Sequence, residues 1–259
     1  KTETVPSSSG GSGGGSSSGG GSSSGGGGGT TQQDLVVASQ TKLVDLGWSQ
    51  FVAVRFTDGN SLENCTVTGN MSDTKGSSSS ENVHNVMIYQ SMSGDAAVGT
   101  SSFSMTGGKL TANNGDMFYI TNTACTLTLS GVDIVNKDSD AYLMNICGNS
   151  AARGWGTAGQ NGAQVTFTAD GQTLSGKIVV DTISTLNMTL KGNSTFTGSI
   201  NIVDNAAGGN AVANNAVVTV ESGSTWSLTG DCTITSLTNN GTIQFNGHTI
   251  TLADGTVLK

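Results

Sequence analysis

Apolar and polar positions alternate in short bursts along this chain. Seven of the bursts share one shape: apolar, polar, apolar, polar, then a small residue. Cys65-Thr66-Val67-Thr68-Gly69 is the first. Copies follow at Phe103–Gly107, Leu127–Gly131, Phe167–Gly171, Met188–Gly192, Val218–Ser222 and Ile243–Gly247. The sixth closes on Ser222, with Gly223 next. The closing residues are 38, 24, 40, 21, 30 and 25 positions apart. Alternation with period 2 marks a half-buried strand. Its return every ~20–50 residues marks a stacked repeat architecture.

One short strand with one apolar face cannot hide that face alone. Stacked copies bury a continuous core, each touching only its neighbours. Glycine closes the burst because the chain turns a corner there, often at positive φ. The pattern therefore predicts an inward column of Cys65, Phe103, Leu127, Phe167, Met188, Val218 and Ile243. The outward column beside it is Thr66, Ser104, Thr128, Thr168, Thr189, Thr219 and Gln244. A second strand set supports the reading. Gly115-Asp116-Met117 realigns on Gly176-Lys177-Ile178, and Leu174-x-Gly176-x-Ile178 echoes Phe196-x-Gly198-x-Ile200. Trp226-Ser227-Leu228-Thr229-Gly230 has the same shape but follows Ser222 too closely for a new turn. More than one strand per turn predicts a triangular parallel β-helix, an all-β solenoid with inserted loops. No stretch shows helical periodicity. Leu35 to Arg55 reads as strands or a short capping helix, within an N-terminal cap over 30–60 of a domain spanning 30–259.

Residues 1–29 are a different material, Gly and Ser in alternating blocks. That is the composition of a flexible linker. The alternative is a tail that orders beside other subunits on assembly. A chain that starts at Lys1, with no signal peptide, reads as a processed or trimmed product.

Only 11% of residues are charged and the net charge is −8. A nucleic acid or an anionic membrane surface needs basic patches, so neither is expected as a partner. No apolar run is long enough to span a bilayer. The Thr-, Asn-, Gly- and Ser-rich composition suits an extracellular or cell-surface protein. The cysteines, Cys65, Cys125, Cys147 and Cys232, lack metal-ligand spacing. They read as buried thiols, with a Cys125–Cys147 disulfide as the alternative.

Candidate chemistry is sparse. The longer turns carry inserted loops at 71–81, 149–162 and 204–215. The 149–162 loop holds Arg153, Trp155 and Gln160 among glycines, a set that could stack on a sugar ring and hydrogen-bond its hydroxyls. Trp155 folding back to cover the flank is the alternative. Loops on rigid scaffolds carry function disproportionately. Asp133, Asp138 and Asp140 could hold calcium through oxygen ligands, serve as half of a glycosidase-like pair, or form a solvated turn. His84 and His248 fall far apart, so a His-dependent triad has no natural home. The threonine columns resemble the flat arrays of some ice-binding β-helices, but Asp170, Lys191 and Glu221 interrupt the neighbouring column.

The segment Asn114–Ile134, the run Leu174–Ile200 and the ending Leu237–Ile243 resemble repeats of secreted bacterial right-handed β-helix proteins, including a carbohydrate-binding, adhesin-like family. The resemblance covers roughly residues 60–250 and implies a right-handed parallel β-helix that binds polysaccharide or a host surface without catalysis. Two other functions are carried as alternatives. One is a structural subunit that associates end to end into a filament, since an unpaired solenoid end templates further strands. The other is a polysaccharide lyase.

Overall fold

The computed structural model describes strands at 36–38 and 42–43 and residues 60–69, 84–89, 99–150 and 157–259. The Gly/Ser segment 1–29 lies outside the described residues, as do the 71–81 loop and both Arg153 and Trp155. Among the described residues every regular element is a strand.

The strands form three sheets. Sheet A runs β1 (Val36–Ala38), β3 (Asn60–Glu63), β6 (Gly99–Thr106), β9 (Thr123–Ser130), β12 (Gln164–Asp170), β14 (Thr185–Lys191), β16 (Ala216–Val220) and β19 (Ser236–Asn239). Sheet B runs β2 (Lys42–Leu43), β4 (Thr66–Gly69), β7 (Lys109–Ala112) and β10 (Asp133–Asn136). Sheet C begins with β5 (His84–Tyr89), β8 (Asp116–Thr121), β11 (Tyr142–Ile146), β13 (Thr173–Asp181) and β15 (Thr195–Val203). It ends with β17 (Thr225–Leu228), β18 (Cys232–Ile234), β20 (Thr242–Gln244), β21 (Ile250–Leu252) and β22 (Val257–Leu258). All pairings are parallel except β21 with β22. Consecutive strands visit the sheets in turn, so the protein is all-β with parallel strands stacked rung upon rung, an arrangement compatible with a β-solenoid.

Early rungs are three-sided. After β10 the second and third sides fuse: β13 and β15 are single long strands, matched residue for residue from Thr173↔Thr195 to Asp181↔Val203. The expected echo of Leu174-x-Gly176 on Phe196-x-Gly198 is this register. The expected alignment of Gly115-Asp116-Met117 on Gly176-Lys177-Ile178 is one residue out: Ile178 pairs with Met144 and Met144 with Phe118, across β11, a strand the sequence pattern does not predict, whose register shifts between Tyr142 and Met144.

The main inward column forms as predicted across five rungs. Phe103, Leu127, Phe167, Met188 and Val218 align and are buried. The first and last copies of the motif do not belong to it. Cys65 sits at the corner between β3 and β4, and its burst runs along sheet B, where Gly69 pairs with Ala112. Ile243 lies on β20 opposite Trp226, and Leu237 takes the place under Val218. Trp226–Leu228, set aside as too close for a new turn, is β17, the second side of a turn that β16 begins; Trp226 pairs with Phe196. Closing glycines 107, 131, 171 and 192 all have positive φ, as a tight corner requires.

The corner between sheet A and the next side is pinned by buried polar side chains. Ser194 Oγ donates to Lys191 O (2.6 Å) and accepts from Gln172 N (2.9 Å). Ser224 Oγ accepts from Ser194 N at 3.1 Å. Two other corners use asparagine. The Asn85 carboxamide donates to the carbonyls of Asn114 and Asp116, each at 2.8 Å. That of Asn215 donates to Thr182 O (2.9 Å) and Ser184 O (2.8 Å). Such bonds satisfy turn carbonyls that no ladder reaches.

Candidate functional site: the outer face of sheet A

Alternation on sheet A sends one set of side chains into the core and the other outward. Parallel register then stacks the outward set into rows across the rungs. Thr128, Thr168, Thr189 and Thr219 make one row. Thr126, Thr166, Asn187 and Val217 make the next, two residues nearer the strand starts. Thr126, Thr166 and Asn187 are exposed. Thr fits this position because its β-branched stem packs well on a pleated surface.

At the strand starts the face deepens into a groove of about 580 Å³. Thr100, Ala124, Gln164 and Thr185 are aligned along it, with Ala213 and Asn214 also lining it. Among the described residues no charged side chain lines it. Ala213 and Asn214 come from the 204–215 insertion, which leaves the stack where sheet C gives way to sheet A.

The 149–162 insertion leaves at the same corner. Asn149 N donates to Gln160 O (2.8 Å) and Gly159 N to Asn149 O (2.9 Å), which ties the ends of the loop together. A Cβ on Gly159 would stand 3.1 Å from Gly209 Cα, so the two insertions touch backbone to backbone. Asp181 Oδ2 joins them, accepting from Gly148 N (2.8 Å) and Asn205 Nδ2 (2.7 Å). Of the predicted sugar platform, Arg153 and Trp155 are outside the described residues. Gln160 is an exposed residue of this corner.

The three aspartates considered for calcium do not converge. Asp133 Oδ2 pairs with Lys109 Nζ at 2.8 Å on the sheet B surface. Asp138 accepts from Gly115 N (3.0 Å) and Asp140 N (3.1 Å). The Gly115 N–H, helped by that of Asp140 and by the Lys177 charge, holds its carboxyl below the ordinary value against the opposing effect of burial. Asp140 is exposed and offers its carbonyl to Lys177 Nζ at 3.5 Å. Among the described residues no three His, Cys, Asp or Glu side chains gather as metal ligands. Asp138 and Lys177 line a second groove of about 510 Å³, between β10 and β13.

A buried polar cluster on the outer side of sheet C escaped the sequence reading. His84 Nδ1 lies 3.1 Å from Asp116 Oδ2, and its ring stacks on Tyr119 with centroids 3.9 Å apart. Asp116 also accepts from Tyr142 N (2.8 Å) and Asn145 Nδ2 (3.2 Å). The Cys147 thiol donates to Tyr119 Oη at 3.2 Å. Burial, then the carboxylates of Asp181 and Asp116, push that thiol well above its ordinary pKa. A nucleophilic cysteine needs the opposite shift. The detectable signal was chemical: His84 and Asp116 each open a strand rich in apolar residues, β5 and β8. His248, 3.8 Å from Asp231 through Nδ1, belongs to the C-terminal rungs. None of the four cysteines is in a disulfide. Cys125 points into the core and Cys147 belongs to the outer side of sheet C, so the Cys125–Cys147 disulfide is not formed.

No family model, curated protein or solved structure matches this chain.

Proposed function

We propose that this chain is a non-catalytic, extracellular or cell-surface module, folded as a right-handed parallel β-helix, that binds polysaccharide along the outer face of sheet A. The observation that carries this reading is the groove across β6, β9, β12, β14 and β16. Its hydroxyl and amide side chains are repeated in register from rung to rung, without a charge among them. Sugars present hydroxyls at a regular repeat, and an uncharged lining suits a neutral chain. The absence of catalysis is supported by the ties on the reactive groups: His84 and Asp116 are buried together, and Cys147 is held as the thiol. Thr166→Glu tests the site, since it places a carboxylate in the groove at an outward position. Retention on neutral glycan gels should fall while the melting temperature holds. Unchanged retention overturns the assignment of the site.

A second reading, end-to-end association, draws on the outer edges of β19 and β20. Neither has a further partner among the described residues, whereas β22 covers β21. Light scattering at rising concentration tests it: a monodisperse monomer removes it.

A further inference from the structure

The rows on sheet A repeat in two directions, and that restricts the physical state of the ligand. Across the rungs the repeat is the strand separation, about 4.8 Å. Along each strand the outward positions Thr126 and Thr128, or Thr166 and Thr168, are two residues apart, about 6.6 Å. The same pairing continues as Asn187 with Thr189 and Val217 with Thr219. The result is a lattice of hydroxyl and methyl groups, with one carboxamide at Asn187, held on a continuous ladder over a solid core. Among the described residues, neither the rows nor the groove contains an aromatic ring on which one sugar could stack.

A hydroxyl that exchanges water for a sugar hydroxyl gains little by itself. A soluble oligosaccharide would also lose its own chain freedom on binding. A polymer already packed into an ordered solid has no such freedom left to lose. It also offers its groups at a fixed repeat, so many weak contacts engage at once. Charge points the same way. The chain carries −8, yet the two rows carry none. Of the ionic groups at the strand ends, Asp170 and Lys191 pair with each other at 3.3 Å, and Glu221, just past the end of β16, is exposed.

We propose that the outer face of sheet A binds insoluble, chain-packed neutral polysaccharide in preference to the same sugar as a soluble chain. This rests on the polysaccharide reading above and adds the state of the ligand. The experiment is co-sedimentation of the full chain with microcrystalline cellulose and with chitin powder, beside calorimetry with cello- and chito-hexaose. Thr168→Tyr and Asn187→Tyr each raise a ring out of the lattice at an outward position. Thr173→Tyr, exposed on the β13 side, is the control. The expected result is retention of the wild type and the control on at least one solid, a loss of tenfold or more in both lattice variants, and hexaose binding at least tenfold weaker. Melting curves identify a variant that has failed to fold, in which case the other lattice variant decides. Hexaose binding as tight as the solid, lost in the lattice variants, overturns this inference and leaves the polysaccharide reading standing. Retention on neither solid with no hexaose binding overturns both. Ice-crystal shaping without polysaccharide retention also overturns both, and assigns the lattice to ice.

Discussion

The side chain of Gln172 clamps both backbone polar groups of Val132. Its Oε1 accepts from Val132 N at 2.8 Å and its Nε2 donates to Val132 O at 2.7 Å, both buried. Val132 and Gln172 stand at the same corner of consecutive rungs, just ahead of β10 and β13. Those strands share no ladder, and the second groove opens between them. The carboxamide does there what a neighbouring peptide group does elsewhere.

Replacing that carboxamide leaves an N–H and a carbonyl without partners in a buried corner. Gln172→Leu should cost ~2–6 kcal/mol, since each of the two buried orphans costs about 1–3. Gln172→Glu keeps the acceptor for Val132 N but loses the donor, and buries a carboxyl. Urea denaturation at neutral pH should place both below wild type. A Leu variant as stable as wild type would mean that water satisfies Val132 equally well.

The main column was legible because it obeys a local rule. Period-2 alternation ending in glycine fixes which of Leu127, Thr128 and Leu129 face inward, whatever the distance to the next rung. The same rule cannot say to which face of the stack a burst belongs. Cys65-Thr66-Val67 and Ile243-Gln244-Phe245 have the right shape on the wrong sides. Only the ladders, which depend on the length of each intervening corner, assign them. The candidate site divides the same way. The outward threonines follow from alternation. Their groove depends on the 204–215 insertion folding back beside the strand starts. His84 and Asp116 are 32 residues apart, and a 14-residue segment outside the described strands and turns, 70–83, precedes the strand that brings His84 to its partner.

The inward and outward assignments separate in stability. Leu129 is fully buried between Met105 and Ala169, so Leu129→Asp places a carboxylate in the core. The cost is several kcal/mol against a typical total of ~5–15, and the domain should unfold. Thr128→Asp faces outward and should stay folded. Circular dichroism melts compare them, and coincident curves would contradict the register.

Trp226 carries a specific load near the C-terminal end of the stack. Fully buried, it stacks on Phe196 with ring centroids 5.9 Å apart, and its Nε1–H donates to Gly198 O at 3.1 Å. Trp226→Phe retains a ring but orphans the carbonyl and opens a void. A loss of ~2–4 kcal/mol is expected. Native-state hydrogen exchange should show the loosening at β17 and β20 before β9 and β12. Uniform loosening along the chain would show the stack to be one cooperative unit.

The core thiols make alkaline pH destabilising. Burial raises Cys125 from 9.0 to about 12, with the Ser101 contact opposing. The native state therefore holds this proton more tightly than the unfolded chain does. Its contribution is complete below about pH 8.5 and is lost as pH climbs towards 12, at about 1.4 kcal/mol per unit. Cys65 and Cys232 are shifted in the same direction by burial. Melting temperature should fall from pH 9 upward, and less steeply in Cys125→Ala. Parallel slopes in the two proteins would remove Cys125 from the account.

The rung that starts at Gln164 has no insertion, and its first strand meets the next in unbroken register, Gln164 to Thr185 through Asp170 to Lys191. Residues 164–184 are thus a unit of growth. Duplicated in tandem, they would add one course to the wall while leaving the elaborate corners above and below as they stand. The length of the contact face is then a quantity that gene duplication can adjust by whole steps, independently of its chemistry.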